Sequence, residues 1–517
     1  MLDTFEIRFD APVDLALRRS KAAPLRLLAA ALTMLSASAL ATDAIFDDGF
    51  EPPCPGAAPG ITPGAGSAML LRGTVVTPTV AFVGEVLVQG DTIVCAAASC
   101  AGQPGADTAS IVETKGLIFP GLIDSRNVIL FDIFDEADWA PLHLYDNHTQ
   151  WPQEARYAAL VNAKQYLNGE GSVMDLGCEM DKYGEIKGLI AGTTSIAGAA
   201  NPSNKKCYGS LARTIDQTPN DLGADFIQVA TLFPDKPAAD GVCANFADQS
   251  THAYLINVAD GTDATALAEF TKLGTITTTP GCLYAPQTTI AHGAALGDSE
   301  FTTMATAGMS LVWLPQSDVT LYGGTANVPL ALANGVNVAL GNDWSISGSH
   351  NLLDALRFAD QYDNAHWGNV LSDFDLVQMV TTHAAHALAL DSVLGSIGPG
   401  KKADLAVVSA RTCTAPWSAL VRARQKDMRL VLVGGVALYG DASMQAVAPQ
   451  APACEALDVC GASKFVCAAE AGGTVTDKLG QTLADIESNL STGIDAYDAL
   501  NLSEWKFAPI TPLVDCP

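Results

Sequence analysis

Short apolar runs alternate with amphipathic segments over residues 117–393 of this 517-residue chain. The runs include FIQVATLF, AYLINVAD, TTIAHG, SLVWLP and VNVALG, and segments such as EFTKLG and FTTMATAG separate them. Strands that alternate with helices favour a parallel sheet, because each return to the sheet needs a crossover connection. The repetition predicts an α/β chain with a (β/α)8 barrel, whose functional groups would gather at the carboxyl ends of the strands.

Segments on both sides of the barrel region predict a second, smaller β structure. MLLRGTVVTPTVAFVGEVLVQGDTIVCAAA is rich in Val and Thr and is interrupted by glycines, which is typical of short antiparallel strands. Residues 404–440 again predict strands. We therefore expect one small β sandwich made from residues 67–116 and 394–445, followed by a cysteine-rich C-terminal extension, residues 446–517, with one amphipathic helix.

The N-terminal residues predict an export signal. Basic residues at positions 18–26 precede the apolar run LRLLAAALTMLSASALA, and small residues at 39 and 41 predict cleavage after Ala41. The apolar run is shorter than the ~20 residues that a membrane-spanning helix needs. We expect residues 1–41 to be a signal peptide, residues 42–66 to be a linker, and the mature protein to be periplasmic or secreted with no stable membrane span.

The net charge limits the classes of binding partner, and the cysteine content indicates the cellular compartment. The chain has 56 acidic and 28 basic residues, a net charge of −28, which argues against nucleic acid and anionic membranes and leaves a small-molecule ligand or substrate. Its 12 cysteines contain no CxxC pair, which in an exported chain favours disulfides over zinc clusters. The expected disulfides are Cys178–Cys207, Cys243–Cys282 and Cys95–Cys100.

Four segments resemble the amidohydrolase superfamily in order and spacing. They are GLIFPGLIDSRNVIL (116–130), TTIAHGAAL (288–296), VNVALGNDW (336–344) and LGSIGPGKKADLAVV (394–408). KYGEIKGLIAGTTSI and VWLPQSDVTLYGGTANV more narrowly resemble a subgroup related to imidazolonepropionases and cytosine deaminases. The resemblance implies hydrolysis of non-peptide carbon–nitrogen bonds in cyclic amides or amino-heterocycles, with a divalent metal that activates water.

The resemblance also implies a set of metal ligands, and most of them are replaced here. Arg126 and Val128 occupy the positions of the two histidines of the first strand, and Asn257 that of the fifth-strand histidine. A guanidinium or an isopropyl group cannot ligate zinc. His292 and Asp343 keep the family's residue types. Asp260 stands where the family has its proton-transferring glutamate.

The candidate catalytic residues are therefore His292, Asp343 and Asp260, with His292 and Asp343 as remnant metal ligands. Because Arg126 would enter a space that normally holds a dication, we expect its guanidinium to form an ion pair with Asp343 or Asp260. Asn257 and His148 are expected to line the pocket. This interpretation predicts a degenerate hydrolase without a cofactor.

Two alternatives remain open at this level. The first is an exported binding protein that reuses the barrel pocket for a small molecule. The second is an active hydrolase with a rebuilt site, in which His143, His148, His292 and Asp343 would hold zinc or another divalent metal. We interpret His143 and His148 in LHLYDNHTQW as residues that shape the pocket mouth.

Overall fold

The structure, a computed structural model, describes residues 59–198, 211–216, 222, 226–409, 415–449, 453–470 and 480–516. The expected signal peptide lies outside the described residues. The expected linker is described only from residue 59, and it includes a short strand, Gly60–Thr62. Within the described ranges, no helix combines the length and the apolar character needed to cross a membrane.

Eighteen strands are described. In chain order they are β1 (Gly60–Thr62), β2 (Met69–Val76), β3 (Ala81–Gln89), β4 (Thr92–Ala97), β5 (Ser110–Pro120), β6 (Leu122–Asp124), β7 (Thr193–Ile196), β8 (Arg213–Thr214), β9 (Ile227–Ala230), β10 (Ala253–Val258), β11 (Thr288–His292), β12 (Ser310–Trp313), β13 (Asn337–Leu340), β14 (Leu405–Ser409), β15 (Met428–Val433), β16 (Val436–Asp441), β17 (Glu455–Val459) and β18 (Ala462–Val466).

The described α-helices lie mainly between the strands of the barrel region. They are α1 (Ala155–Leu167), α2 (Gly177–Ile190), α3 (Lys236–Asp248), α4 (Ala264–Thr275), α5 (Asp298–Ala307), α6 (Pro315–Tyr322), α7 (Val328–Ala333), α8 (Leu352–His366), α9 (Asp373–Met379), α10 (Thr382–Ala387), α11 (Pro416–Val421) and α12 (Leu483–Ala499). Asp235 and Asp263 cap α3 and α4 by accepting backbone N–H groups, which stabilises the helix starts.

Strands β6 to β13 form the parallel part of the fold. β6, β7 and β8 pair in that order, and so do β9 to β13. A parallel bridge between Asn127 and Asp343 joins the segments that follow the first and last of these strands. A Cβ atom on Gly341 would lie 2.8 Å from the backbone N and O of Arg126, so only glycine permits this approach. The predicted (β/α)8 class is confirmed.

The two flanking segments meet in a second, mostly antiparallel sheet. β14 pairs with β5, which brings the C-terminal segment against the N-terminal one. The full order is β17-β18-β16-β15-β14-β5-β2-β3-β4, with β1 paired to β5. The C-terminal extension therefore adds two strands to this sheet, as well as α12, which contacts α1 and α2.

A buried ion pair connects the two parts of the fold. Arg213 on β8 donates from Nη2 and Nε to the two carboxylate oxygens of Asp404, at 2.9 and 3.1 Å, and both side chains are almost fully buried. Asp404 also accepts the backbone N–H of Gly434, at 2.8 Å. A charged pair this deeply buried is tolerated only when its hydrogen bonds are well made, and this one fixes the sheet against the barrel.

Four disulfides are fully described. Cys95–Cys100 and Cys243–Cys282 form as predicted, and Cys454–Cys467 and Cys460–Cys516 tie the C-terminal extension together. Cys178 is also disulfide-bonded. Its predicted partner, Cys207, lies outside the described residues.

Candidate functional site at the carboxyl ends of the barrel strands

The residues singled out by the sequence lie at the carboxyl ends of four barrel strands. Arg126 follows β6, Asn257 lies near the end of β10, His292 ends β11 and Asp343 follows β13. Asp260 comes two residues after β10 ends. Because the strands are parallel and neighbouring, their ends converge on one side of the barrel, where this fold places functional groups.

Arg126 lies inside the barrel and is fully buried, as expected, but its expected ion pair is absent. Among the described residues, no carboxylate oxygen lies within 4.0 Å of its guanidinium, so the predicted pairing with Asp343 or Asp260 is wrong. Nε donates to Asn257 Oδ1 at 3.2 Å, and Nη1 donates to the backbone oxygen of Asn127 at 3.1 Å. Within the described part of the chain, Nη2 has no hydrogen-bond partner.

The physical reason is that each nearby carboxylate is held by another group. Asp343 Oδ2 accepts from Ser317 Oγ at 2.6 Å. Asp260 Oδ1 accepts from the hydroxyl of Tyr322 at 2.6 Å and lies 3.4 Å from His292 Nδ1. The guanidinium of Arg126 is hydrogen-bonded to the amide oxygen of Asn257 instead. A neutral amide is therefore its partner, where the opposite charges predicted an aspartate.

Asn257 connects Arg126 to His292. Its Oδ1 accepts from the guanidinium, and its Nδ2 lies 3.3 Å from Nε2 of His292. The resemblance places a metal-binding histidine at this position. Here the side chain is the central link of a hydrogen-bonded row, Arg126–Asn257–His292.

On the other side of its ring, His292 meets two carboxylates. Nδ1 lies 2.8 Å from Oδ1 of Asp318 and 3.4 Å from Oδ1 of Asp260. Burial opposes the charged imidazolium, but Asp260, Asp318 and Asp343 outweigh it and raise the pKa of His292 to about 10. Burial also raises the pKa of Asp318, to about 6, against the opposing effect of His292.

Asp318 and Tyr322 are the site residues that the sequence analysis missed. Both lie on α6, which begins directly after β12, and Asp318 also accepts from Thr325 Oγ1 at 2.7 Å. From sequence, the segment VWLPQSDVTLYGG indicates only the resemblance to a subgroup and no site residue. The sequence signal that indicates these residues is a strand followed at once by Pro and a helix. This pattern places the side chains of the first helical turns at the carboxyl ends of the barrel strands.

His292 and Asp343 both have strained backbones. Their φ angles are +72° and +69°, in the left-handed region that residues with a side chain rarely adopt. Each such residue costs on the order of 1–3 kcal/mol and persists only when its surroundings impose it. The strain therefore falls at the two positions where the chain keeps the family's residue types.

The described side chains do not fit the zinc site that the fold family implies. Zinc needs three or four imidazole, thiolate or carboxylate ligands. His292 is turned toward Asp318 and Asp260, whereas Asp343 is held by Ser317. Among the described residues, the one group of three possible ligands is Asp260, His292 and Asp318. His292 is hydrogen-bonded to Asp318, Asp260 lies 3.4 Å from the same ring nitrogen, and Asn257 links His292 to the permanently charged Arg126.

His148 and His143 do not complete a rebuilt metal site. His148 Nε2 lies 2.6 Å from Oε1 of Glu269, which raises the pKa of His148 against the effect of burial. His143 packs against the ring of Tyr145, with centroids 4.6 Å apart, beside a surface cavity of about 500 Å³. The alternative that combines these two histidines with His292 and Asp343 is not supported by their positions.

The long segment after β6 covers the site. His148 N–H donates to the backbone oxygen of Asp260 at 2.9 Å, and Tyr145 N–H donates to that of Leu321 at 2.8 Å. Trp151 Nε1 donates to the hydroxyl of Tyr322 at 3.0 Å, and its ring packs against Trp344. This cover excludes water from the charged groups beneath it, which strengthens their electrostatic interactions.

The fold is a parallel barrel with polar groups at its strand ends, joined to a sheet built from both flanking segments. The profile of the Amidohydrolase family matches residues 247–438. This match and the relatives below confirm the resemblance to the amidohydrolase superfamily.

Two curated relatives illustrate the sequence similarity. The 5-methylthioadenosine/S-adenosylhomocysteine deaminase of Nitratidesulfovibrio vulgaris is 28% identical over 363 residues, which cover 63% of this chain and 80% of that enzyme. Guanine deaminase of Mus musculus is 30% identical over 135 residues, 25% of this chain and only 30% of that enzyme.

Solved structures show the same fold at low identity. Atrazine chlorohydrolase from Arthrobacter aurescens TC1, complexed with zinc, has a TM-score of 0.56 and 16% identity over 72% of this chain and 95% of that one. Guanine deaminase from Bradyrhizobium japonicum has a TM-score of 0.54 and 15% identity over 72% of this chain and 100% of that one.

Proposed function

We propose that this protein is a degenerate amidohydrolase that binds a small molecule at the barrel mouth and does not perform zinc-dependent hydrolysis. The observation that carries the proposal is the contact between Arg126 Nε and Asn257 Oδ1, at 3.2 Å. These residues replace two histidines that the family uses for its metal. A permanent cation bonded to an amide repels a second cation and offers it only a weak ligand.

The names of the relatives suggest the kind of ligand. The matched curated proteins include deaminases of guanine and of 5-methylthioadenosine or S-adenosylhomocysteine. A cyclic amide or amino-heterocycle is therefore the ligand class we propose. Two strained backbone positions and a covered, buried polar row support a retained binding site, because strain without a function brings only a cost in stability.

Export is a further part of the proposal. The disulfides on the described segments are stable in oxidising compartments and rare in the reducing cytosol. We propose a periplasmic or secreted protein, in keeping with the N-terminal sequence. Mass spectrometry of the mature N-terminus would test this, and a chain that keeps its first 41 residues would contradict it.

The central experiment is metal analysis of the purified native protein after incubation with zinc and gel filtration. We expect less than about 0.1 zinc per chain, and no deaminase or amidase activity that depends on added zinc. A panel of amino-heterocycles would be screened on the same preparation by thermal shift. One tightly bound zinc per chain, with zinc-dependent release of ammonia, would overturn the proposal and assign the protein to the active hydrolases.

A further inference from the structure

The buried end of Arg126 is the feature that the proposed function does not yet explain. Its side chain is fully buried, and Nη2 has no hydrogen-bond partner among the residues that the structure describes. A buried donor without a partner is costly, and a charged one more so. Gly198 leaves room for the guanidinium, because a Cβ atom there would lie 2.7 Å from Nη1. The barrel thus has room for the side chain of Arg126 but offers no hydrogen-bond acceptor to its Nη2 among the described residues.

Asn257 contacts Arg126 only through Nε. It has a single amide oxygen, which accepts from Arg126 Nε, so the group that it presents to His292 Nε2 is the donor Nδ2. That oxygen is engaged with Nε, so the row offers no acceptor to Nη2 among the described residues.

The carboxylates near the row are already engaged and face elsewhere. Asp318 and Asp260 contact His292 at Nδ1, on the opposite edge of the ring from Asn257. Asp343 is bonded to Ser317. The unsatisfied donor, Arg126 Nη2, thus lies at the other end of the row, away from these acceptors.

We infer that the ligand of this site carries a carboxylate group, which accepts hydrogen bonds from Arg126 Nη2 beside Asn257. A carboxylate offers two acceptor oxygens in the plane of the guanidinium, and charge-assisted bonds of this kind are stronger than neutral ones. The inference rests on the proposed function, because it specifies the ligand of the same metal-free site. The superfamily binds a divalent metal ion at this place to activate water. In this chain the guanidinium of Arg126 takes that place and binds the carboxylate of the ligand.

The test compares benzoate with benzamide, two probes of nearly equal shape that differ in charge, by calorimetry on the native full-length chain at constant ionic strength. Formate and formamide serve as smaller probes of the same pair. We expect each carboxylate to bind at least 10-fold more tightly than its amide. The variant Arg126→Met should abolish this preference, and Arg126→Lys should retain part of it. The control Arg72→Met removes an arginine that is paired with Glu85 outside the site, and it should leave the preference unchanged.

Each outcome bears on a separate claim. Equal affinity for carboxylate and amide would refute the anion site and leave the binding function standing. The absence of binding by all four probes would also count against the anion site. The comparison of probes on the native chain holds even if Arg126→Met fails to fold. Zinc content measured on the same preparation decides the proposed function independently, since stoichiometric zinc would overturn it whatever the probes do.

Discussion

Nδ1 of His292 lies 2.8 Å from Oδ1 of Asp318, and both side chains are buried beneath the segment that follows β6. This contact joins the end of β11 to the start of α6. It uses a histidine that the sequence singled out and an aspartate that it did not.

The first prediction concerns pH. The pKa of His292 is raised to about 10, above its unfolded value of about 6.5. The contribution of its protonated form to stability is therefore complete below pH 6.5 and is lost as pH rises toward 10. We expect the free energy of unfolding to fall by on the order of 2–4 kcal/mol more in the native chain than in His292→Asn between pH 7 and 10, measured by urea unfolding. Parallel pH profiles for the two proteins would contradict this.

The second prediction concerns recovery of a metal site. The combined change Arg126→His, Val128→His and Asn257→His restores the implied ligands next to His292 and Asp343, so this variant should gain stoichiometric zinc. Arg126→His alone should not, because zinc needs three or four placed ligands. Elemental analysis after gel filtration is the measurement. Adding Asp343→Asn to the triple variant is the matched control, which should bind zinc more weakly, and an unchanged zinc affinity in that control would show that Asp343 is not a ligand.

The third prediction concerns the buried pair Arg213–Asp404. Changing Arg213→Met leaves Asp404 buried without its counter-ion, which should cost about 3–5 kcal/mol of unfolding free energy. The control Arg72→Met removes a more exposed arginine and should cost less than about 1 kcal/mol. Urea unfolding provides both values. Similar losses for the two variants would mean that the buried pair does not fix the sheet to the barrel.

The fourth prediction concerns disulfides of different loop length. Cys460–Cys516 closes a separation of 56 residues, whereas Cys95–Cys100 closes one of 5. On the chain-entropy model the longer loop contributes about 4 kcal/mol and the shorter about 2. Double Cys→Ser variants of each pair, compared by thermal unfolding, should rank in that order. The reverse ranking would show that native-state contacts of the tail, and not loop closure, dominate.

The tail contacts give this comparison a second readout. Thr511 N–H donates to the backbone oxygen of Ile133 at 2.9 Å, and its hydroxyl donates to Asp135 at 2.7 Å. Both partners lie in the segment after β6 that covers the site. Faster hydrogen exchange at residues 131–138 is therefore expected when Cys460–Cys516 is removed, and not when Cys95–Cys100 is removed.

The sequence alone determined the fold class and the positions of the altered site. Each apolar or amphipathic run indicates whether its own segment is a buried strand or a helix with one buried face. The alternating order of these segments is enough to predict a barrel. The replacements Arg126, Val128 and Asn257 could be read directly, because what a side chain can ligate depends on its own chemistry. The disulfide Cys95–Cys100 could likewise be predicted from sequence, because its two cysteines are only 5 residues apart.

Only the tertiary structure decided which side chains pair inside the barrel. Asp318 and Tyr322 lie on α6, far along the chain from the replaced metal-binding positions, and only barrel closure brings them to His292 and Asp260. The expected ion pair of Arg126 failed for the same reason. Charge complementarity states which partners attract, but hydrogen bonds from Ser317 and Tyr322 to the aspartates, and the position of Asn257, determine which partner the guanidinium reaches.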